Sequence, residues 1–231
     1  MIACISLAIG NLAALVQRNV KRLLAYSSIS HAGFMLIGVC VDSALGARAV
    51  LYYLIPYAAM SVGAFAVVAA RERELAAPVT LDNLAGLGWE RPVLGISMAV
   101  FMFGFAGLPP TGGFVGKFYV FSAAYDRGWT WLVIVGVVAT AVSLYYYLGV
   151  IRAMYFRPSE ELQLAFQAGA PGNPLHPLDD TASGVVAGGS PPRELLLQTA
   201  VTAAIVVTVG SFFAVQPLID AARHATEALF L

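Results

Sequence analysis

Charge is what this sequence has least of. Only 11% of its 231 residues are Asp, Glu, Lys or Arg, against 59% hydrophobic, where an ordinary soluble domain carries about 25% charged residues. The composition points to a membrane protein. Net charge is zero, and no basic cluster is interleaved with aromatics, which excludes nucleic acid as a partner. Cysteine is almost lacking as well. Cys4 and Cys40 lie in apolar runs with no Cys-x-x-Cys or His spacing nearby, so they read as small packing residues and not as metal ligands or a redox pair. No basic segment precedes the first apolar run, so it does not read as a cleaved signal peptide. No stretch has the composition of a soluble catalytic domain.

What is present is a series of apolar runs of the length that crosses a hydrocarbon core, about 20 residues. Six are expected: 1–16, 20–41, 47–70, 93–125, 129–156 and 195–219. Together they make one all-α membrane domain over 1–231. The first run is short and reads as a helix whose beginning is missing or is supplied by something else. Arginines and lysines divide unevenly between the ends of these runs. Arg18, Lys21, Arg22, Arg71, Arg73, Arg91, Arg152, Arg157 and Arg193 fall on one side, and Arg48, Arg127 and Arg223 on the other. By the positive-inside rule the first side is cytoplasmic and both termini face outward. The stretch 157–192, rich in Pro, Gly, Ala and Ser, reads as a flexible cytoplasmic loop. The shorter 71–92 segment is expected at the interface through Leu84, Leu87 and Trp89.

The fourth run is too long for one straight helix: a helix over its 33 residues would be about 50 Å long against a core of about 30 Å. Within it lies GLPPTGGFVGKFYVF, from Gly107 to Phe121. Pro109 and Pro110 remove two amide donors, while Gly107, Gly112 and Gly113 permit non-helical dihedrals. A broken helix follows. Freed backbone groups at membrane depth require protein or a watery cavity around them, so the break implies a polar interior. Lys117 is the basic residue left over when the loops are counted. It stands eight residues short of the boundary marked by Tyr125, Asp126 and Arg127, about 12 Å along a helix and beyond comfortable snorkelling. A lysine at that depth costs about 3 kcal/mol on insertion scales and is a candidate proton carrier.

Other polar residues lie at depth. In the second run Lys21, Ser27, Ser28 and His31 fall within an arc of about 120°, with Ser30 on the other side. The serines either bond their own helix carbonyls or line a wet path. His31, near mid-bilayer and titratable near neutral pH, reads as part of that path. Lys21 is either a boundary anchor or a member of the path. In the third run Tyr53, Tyr57 and Ser61 share a stripe at i, i+4 and i+8, more in the manner of packing than of a water path. SLYYYLGVIRAMYF closes the fifth run as an aromatic belt with Arg152 as anchor.

RNVKRLLAYSSISHAGF, GLPPTGGFVGKFYVFSAA and SLYYYLGVIRAMYF, in that order, resemble the N-type membrane subunit of bacterial proton-pumping NADH:quinone oxidoreductase, complex I, of the antiporter-like family. The resemblance covers the whole chain apart from the 157–192 loop. It implies the C-terminal part of a fold of roughly fourteen helices built from two inverted repeats of five, each with one broken helix. It assigns Lys117 to the proton-carrying lysine of the second broken helix, and His31 and Lys21 to the helix before it in the path; Ser27, Ser28 and Tyr57 join them as proton-translocation candidates from the residue pattern. The sequence departs from the family in three places. The first half, with its glutamate and lysine, is absent, as in a truncated product, a mis-called start or one piece of a split subunit whose missing helices a separate chain supplies. Span three offers Tyr53, Tyr57 and Ser61 where the L- and M-type subunits have His or Lys. Gly149 stands where many relatives have a basic residue, with Arg152 on the next turn.

The resemblance implies a multi-pass protein of the bacterial inner membrane, packed against the M-type and small membrane subunits within the lipid bilayer. It would move protons as a translocase subunit, while NADH, FMN, iron-sulfur clusters and quinone serve elsewhere in the complex and no cofactor is held by this chain. Two alternatives stand beside it: a subunit of a multisubunit cation/proton antiporter, and a truncated, non-conducting fragment.

Overall fold

The computed structural model describes residues 1–156 and 191–229. These form α1 (Ile2–Leu15), α2 (Val20–Cys40), α3 (Ala44–Leu75), α4 (Leu87–Glu90), α5 (Pro92–Ala106), α6 (Gly112–Asp126), α7 (Thr130–Phe156), α8 (Pro191–Phe213) and α9 (Val215–Leu229). Local chemistry sets several of the boundaries. Asn19 caps α2 by accepting the Arg22 amide at 3.1 Å, and Ser43 caps α3 through the Gly46 amide at 3.0 Å, each satisfying an otherwise orphaned donor. Pro92 opens α5, where its missing amide hydrogen costs nothing.

α2, α3, α7 and the Leu195–Phe213 part of α8 are long and apolar enough to cross a membrane, and α1 and α5 are shorter apolar helices. α3 is the central post, packing against α2, α5, α6, α8 and α9, while α7 closes the other side against α1, α4, α5 and α6. At 32 residues α3 is about 48 Å long and overruns the bilayer core, which puts its charged last turns in water. Pro56 sits buried within it.

The ends of the bundle sort into two sides. The Val20 amide donates to Val79 O and the Leu81 amide to Arg18 O, so the α1–α2 turn and the α3–α4 connector lie at the same end. Trp89 Nε1 donates to Tyr155 O at 3.0 Å, which adds the end of α7. At the opposite end, an Arg127 guanidinium nitrogen donates to Asp42 O. This grouping of the described loops matches the one drawn from arginine and lysine counts.

Three expectations need correction. The last apolar run does not continue to residue 219: the helix stops at Phe213 and α9 begins at Val215, because from Gln216 on, Gln, Asp, Arg, His and Glu recur on one face in place of an all-round apolar surface. Leu84 and Leu87 do not lie at the interface; they are buried at 1% and 0% exposure in the protein core, and of that trio only Trp89 is exposed. The loop expected over 157–192 gives up its last two residues to α8, proline being well suited to a first helical turn; the rest of it lies outside the described residues.

Candidate functional site

The break falls between α5 and α6. A helix leaves its last four carbonyls without intrahelical partners, and in α5 these belong to Phe103, Gly104, Phe105 and Ala106. The Gly107 amide reaches Phe103 O at 3.0 Å and Gly104 O at 3.1 Å, and the Leu108 amide also reaches Phe103 O at 3.0 Å. The other two carbonyls are met by a side chain from the next helix: Lys117 Nζ donates to Phe105 O at 2.9 Å and Ala106 O at 3.2 Å. Lys117 therefore caps α5, with its ammonium at the negative end of that half-helix. The ammonium also lies 4.6 Å from the centroid of the Phe34 ring, over its electron-rich face.

Gly107 is required twice over. Its φ of +78° is one that side chains other than glycine's rarely adopt, and a Cβ there would come 2.9 Å from Lys117 Cδ. Gly113 lets α6 start flush against α5, since a Cβ would run into Gly104 O. Gly112 is buried beside Pro56 and Ser211, whereas Pro109 and Pro110 are exposed. The prolines end α5 and the glycines let the two half-helices close around the lysine.

Lys117 is 4% exposed. Among the described residues every ion pair lies elsewhere: Lys21 with Glu72, Arg71 with Glu74 and Glu90, Arg91 with Glu74, and Arg18 with Asp82. The ammonium is thus held by neutral dipoles and a ring. Hydrogen bonds to a charged group contribute about 1.5–3 kcal/mol each, so two of them offset an insertion cost of about 3 kcal/mol.

His31 lies one turn from Phe34 on α2 and is 1% exposed. Its Nδ1 is 2.7 Å from Tyr53 Oη of α3 and its Nε2 is 3.0 Å from Tyr147 Oη of α7. The rings of Tyr57 and Phe105 lie 5.0 and 5.3 Å away. Phe34 touches both His31 and Lys117, and Phe105 gives its carbonyl to the lysine and its ring to the histidine. The two groups thus share one chamber.

The remaining sequence candidates separate. Ser27 is buried and interacts with the Tyr147 hydroxyl. Ser28 is half-buried and turns its hydroxyl to Ala25 O at 2.6 Å, which satisfies it within its own helix. Tyr57 is half-buried and contributes its ring against His31. Lys21 is bound to Glu72 at the water boundary, away from the chamber. Ser30, expected on the far side of α2, is buried there against Gly10 of α1.

Two pairs on the chamber wall were not singled out from sequence. Tyr146 Oη donates to Asn11 Oδ1 at 3.0 Å, and Tyr147 stacks on Phe105 and reaches His31. Read as a belt, the YYY run hides its asymmetry: Tyr145 is 74% exposed while Tyr146 and Tyr147 are 4% and 1%. An asparagine inside the first apolar run was the available signal.

A broken helix whose freed carbonyls are capped by a buried lysine, beside a buried histidine, is an arrangement of the antiporter-like membrane fold. The chain belongs to the NADH:quinone oxidoreductase/Mrp antiporter family, whose transmembrane region matches residues 1–143. It is 48% identical over 161 residues to NADH-quinone oxidoreductase subunit N of Trichlorobacter lovleyi, covering 70% of this chain and 33% of that one. It is 40% identical over 229 residues to subunit N of Rhodospirillum rubrum, covering 99% of this chain and 42% of that one. Respiratory complex I from Thermus thermophilus contains a chain of the same fold, with 34% identity and a TM-score of 0.70, over 95% of this chain and 44% of the other. The chain thus spans less than half the length of these relatives.

Proposed function

We propose that this chain forms the later helices of a proton-translocating N-type membrane subunit of NADH:quinone oxidoreductase, with Lys117 as the group that carries the proton. The observation that supports this best is the lysine's set of partners. A carboxylate would fix the ammonium in its charged form, whereas carbonyl dipoles and an aromatic face support it without neutralising it. A change of charge elsewhere in the membrane arm then shifts the lysine between its two forms. His31 and Ser27, in the same chamber, lie on the approach; Lys21, tied to Glu72 at the boundary, anchors α2 to α3.

On this reading the subunit crosses the bacterial inner membrane many times, packs against the M-type and small membrane subunits, and has its cytoplasmic side at the Lys21, Arg71 and Arg91 end. The redox groups, NADH, FMN, iron-sulfur clusters and quinone, are used by other subunits.

Lys117→Ala, introduced into the full subunit within its complex, tests the reading. NADH oxidation by uncoupled inverted membrane vesicles should persist, while proton uptake per NADH in coupled vesicles is largely lost. Unchanged proton uptake in an assembled complex overturns the carrier role. Retained NADH oxidation with sodium transport in place of proton uptake favours the antiporter branch of the family.

A further inference from the structure

An imidazole that gains and loses a proton changes what its nitrogens need. Neutral, it donates from one nitrogen and accepts at the other; charged, it donates from both. A partner that only accepts, such as a backbone carbonyl, suits one of these states and leaves a buried atom unsatisfied in the other, at about 1–3 kcal/mol. A phenol hydroxyl does both, by rotating about its C–O bond. His31 has a phenol on each side: Tyr53 Oη at 2.7 Å from Nδ1 and Tyr147 Oη at 3.0 Å from Nε2.

We propose that Tyr53 and Tyr147 are positioning residues that let His31 change its protonation state with both nitrogens hydrogen-bonded throughout and the ring stationary. The inference rests on the proton-translocating reading given above.

The geometry supports each part. The ring cannot swing away, being enclosed by Phe34, Tyr57 and Phe105. Both tyrosines are fully buried, at 0% and 1% exposure, so water does not compete for their hydroxyls. Tyr53 packs its ring on Gly116, next to Lys117. Tyr147 lies against Ser27 and Tyr146, and Tyr146 is held by Asn11. Charging adds a proton delivered by the translocation path to the nitrogen that had been accepting; the phenol there rotates its own hydrogen away and turns its oxygen to the new N–H, so no O–H bond breaks and the phenol stays neutral. Discharge removes that proton and reverses the rotation.

The test uses the full subunit in its complex, with proton uptake per NADH in inverted vesicles as the readout. Tyr53→Phe and Tyr147→Phe keep the rings and remove only the hydroxyls. Tyr52→Phe removes another buried hydroxyl, bonded to Ser211 O at 2.6 Å and outside the chamber. Each chamber variant should lose proton uptake, by no more than His31→Ala does, while Tyr52→Phe retains it. His31→Ala should lose less than Lys117→Ala, and adding Tyr147→Phe to His31→Ala should cause no further loss, because the tyrosine acts through the histidine.

Wild-type proton uptake in both chamber variants, with uptake lost in Lys117→Ala, overturns this proposal and leaves the carrier reading standing. Wild-type uptake in Lys117→Ala overturns the carrier reading itself. A further loss in the double variant, or failure of both chamber variants to assemble while Tyr52→Phe assembles, makes the hydroxyls structural and also overturns the proposal.

Discussion

Lys21 and Lys117, the two lysines of the chain, are held by different kinds of partner. Lys21 sits at the water boundary with its side chain 47% exposed and bonds Glu72 across the α2–α3 contact. Its neighbourhood is a belt of full charges, in which Arg71 meets Glu74 and Glu90 while Arg91 meets Glu74. Lys117, deep in the bundle, meets two carbonyls and a ring. At the boundary, water screens every charge and a pair is worth about 0–1 kcal/mol, so carboxylates fasten helices together without controlling anything. In the interior the same pair would be far stronger and would hold the charge permanently. A lysine that must change state in the interior is better served by dipoles.

Replacing the glycine that lets α5 and α6 meet breaks the comparison most severely. Gly113→Val would drive a side chain into Gly104 O, a clash of the kind that costs about 4 kcal/mol or more. Loss of assembled subunit from detergent-solubilised complex, seen on native gels, is the expected result; a normally assembled complex would show that the half-helices need not close. A subtler change gives Lys117 the partner that Lys21 has. Phe34→Glu places a carboxylate near the ammonium, an attraction of about 4 kcal/mol at 4 Å and an effective dielectric constant of about 20. Proton uptake should fall to the level of Lys117→Ala, and uptake that survives in an assembled complex would mean that the lack of a carboxylate partner for Lys117 among the described residues is immaterial. The smallest effect is expected at the boundary. Lys21→Ala removes a half-exposed ion pair worth at most about 1 kcal/mol, so thermal stability and proton uptake should change little. A loss comparable to that of Lys117→Ala would move Lys21 from anchor to pathway.

Much of the architecture was legible because the bilayer imposes a length on apolar runs, and the break was legible because Pro109, Pro110 and three glycines contradict an otherwise helical stretch. Lys117 stood out by its distance from either boundary. The details that escaped depend on which way a helix turns its faces against neighbours. Tyr146 and Tyr147 differ from Tyr145 only in pointing inward, and a run of three tyrosines does not show which of them will. Ser28 and Ser30 were sorted by angle on one helix, yet α2 is covered on more than one side, by α1 as well as by α3, α6 and α7. Leu84 and Leu87 resembled an interfacial pair because their partners in the core come from distant segments.

The hydrogen bond from Tyr52 to Ser211 O joins residues 159 positions apart, and it has a consequence in time. α3 is the post around which the described bundle is arranged, yet α8, which covers one of its faces, is made after the other described spans. At roughly 5–20 residues per second, on the order of ten seconds pass between synthesis of Tyr52 and arrival of its acceptor. Through that interval the phenol must be sheltered by lipid, by the insertion machinery or by a temporary helix neighbour, so the central post of the finished bundle is also the helix that waits longest for its surroundings.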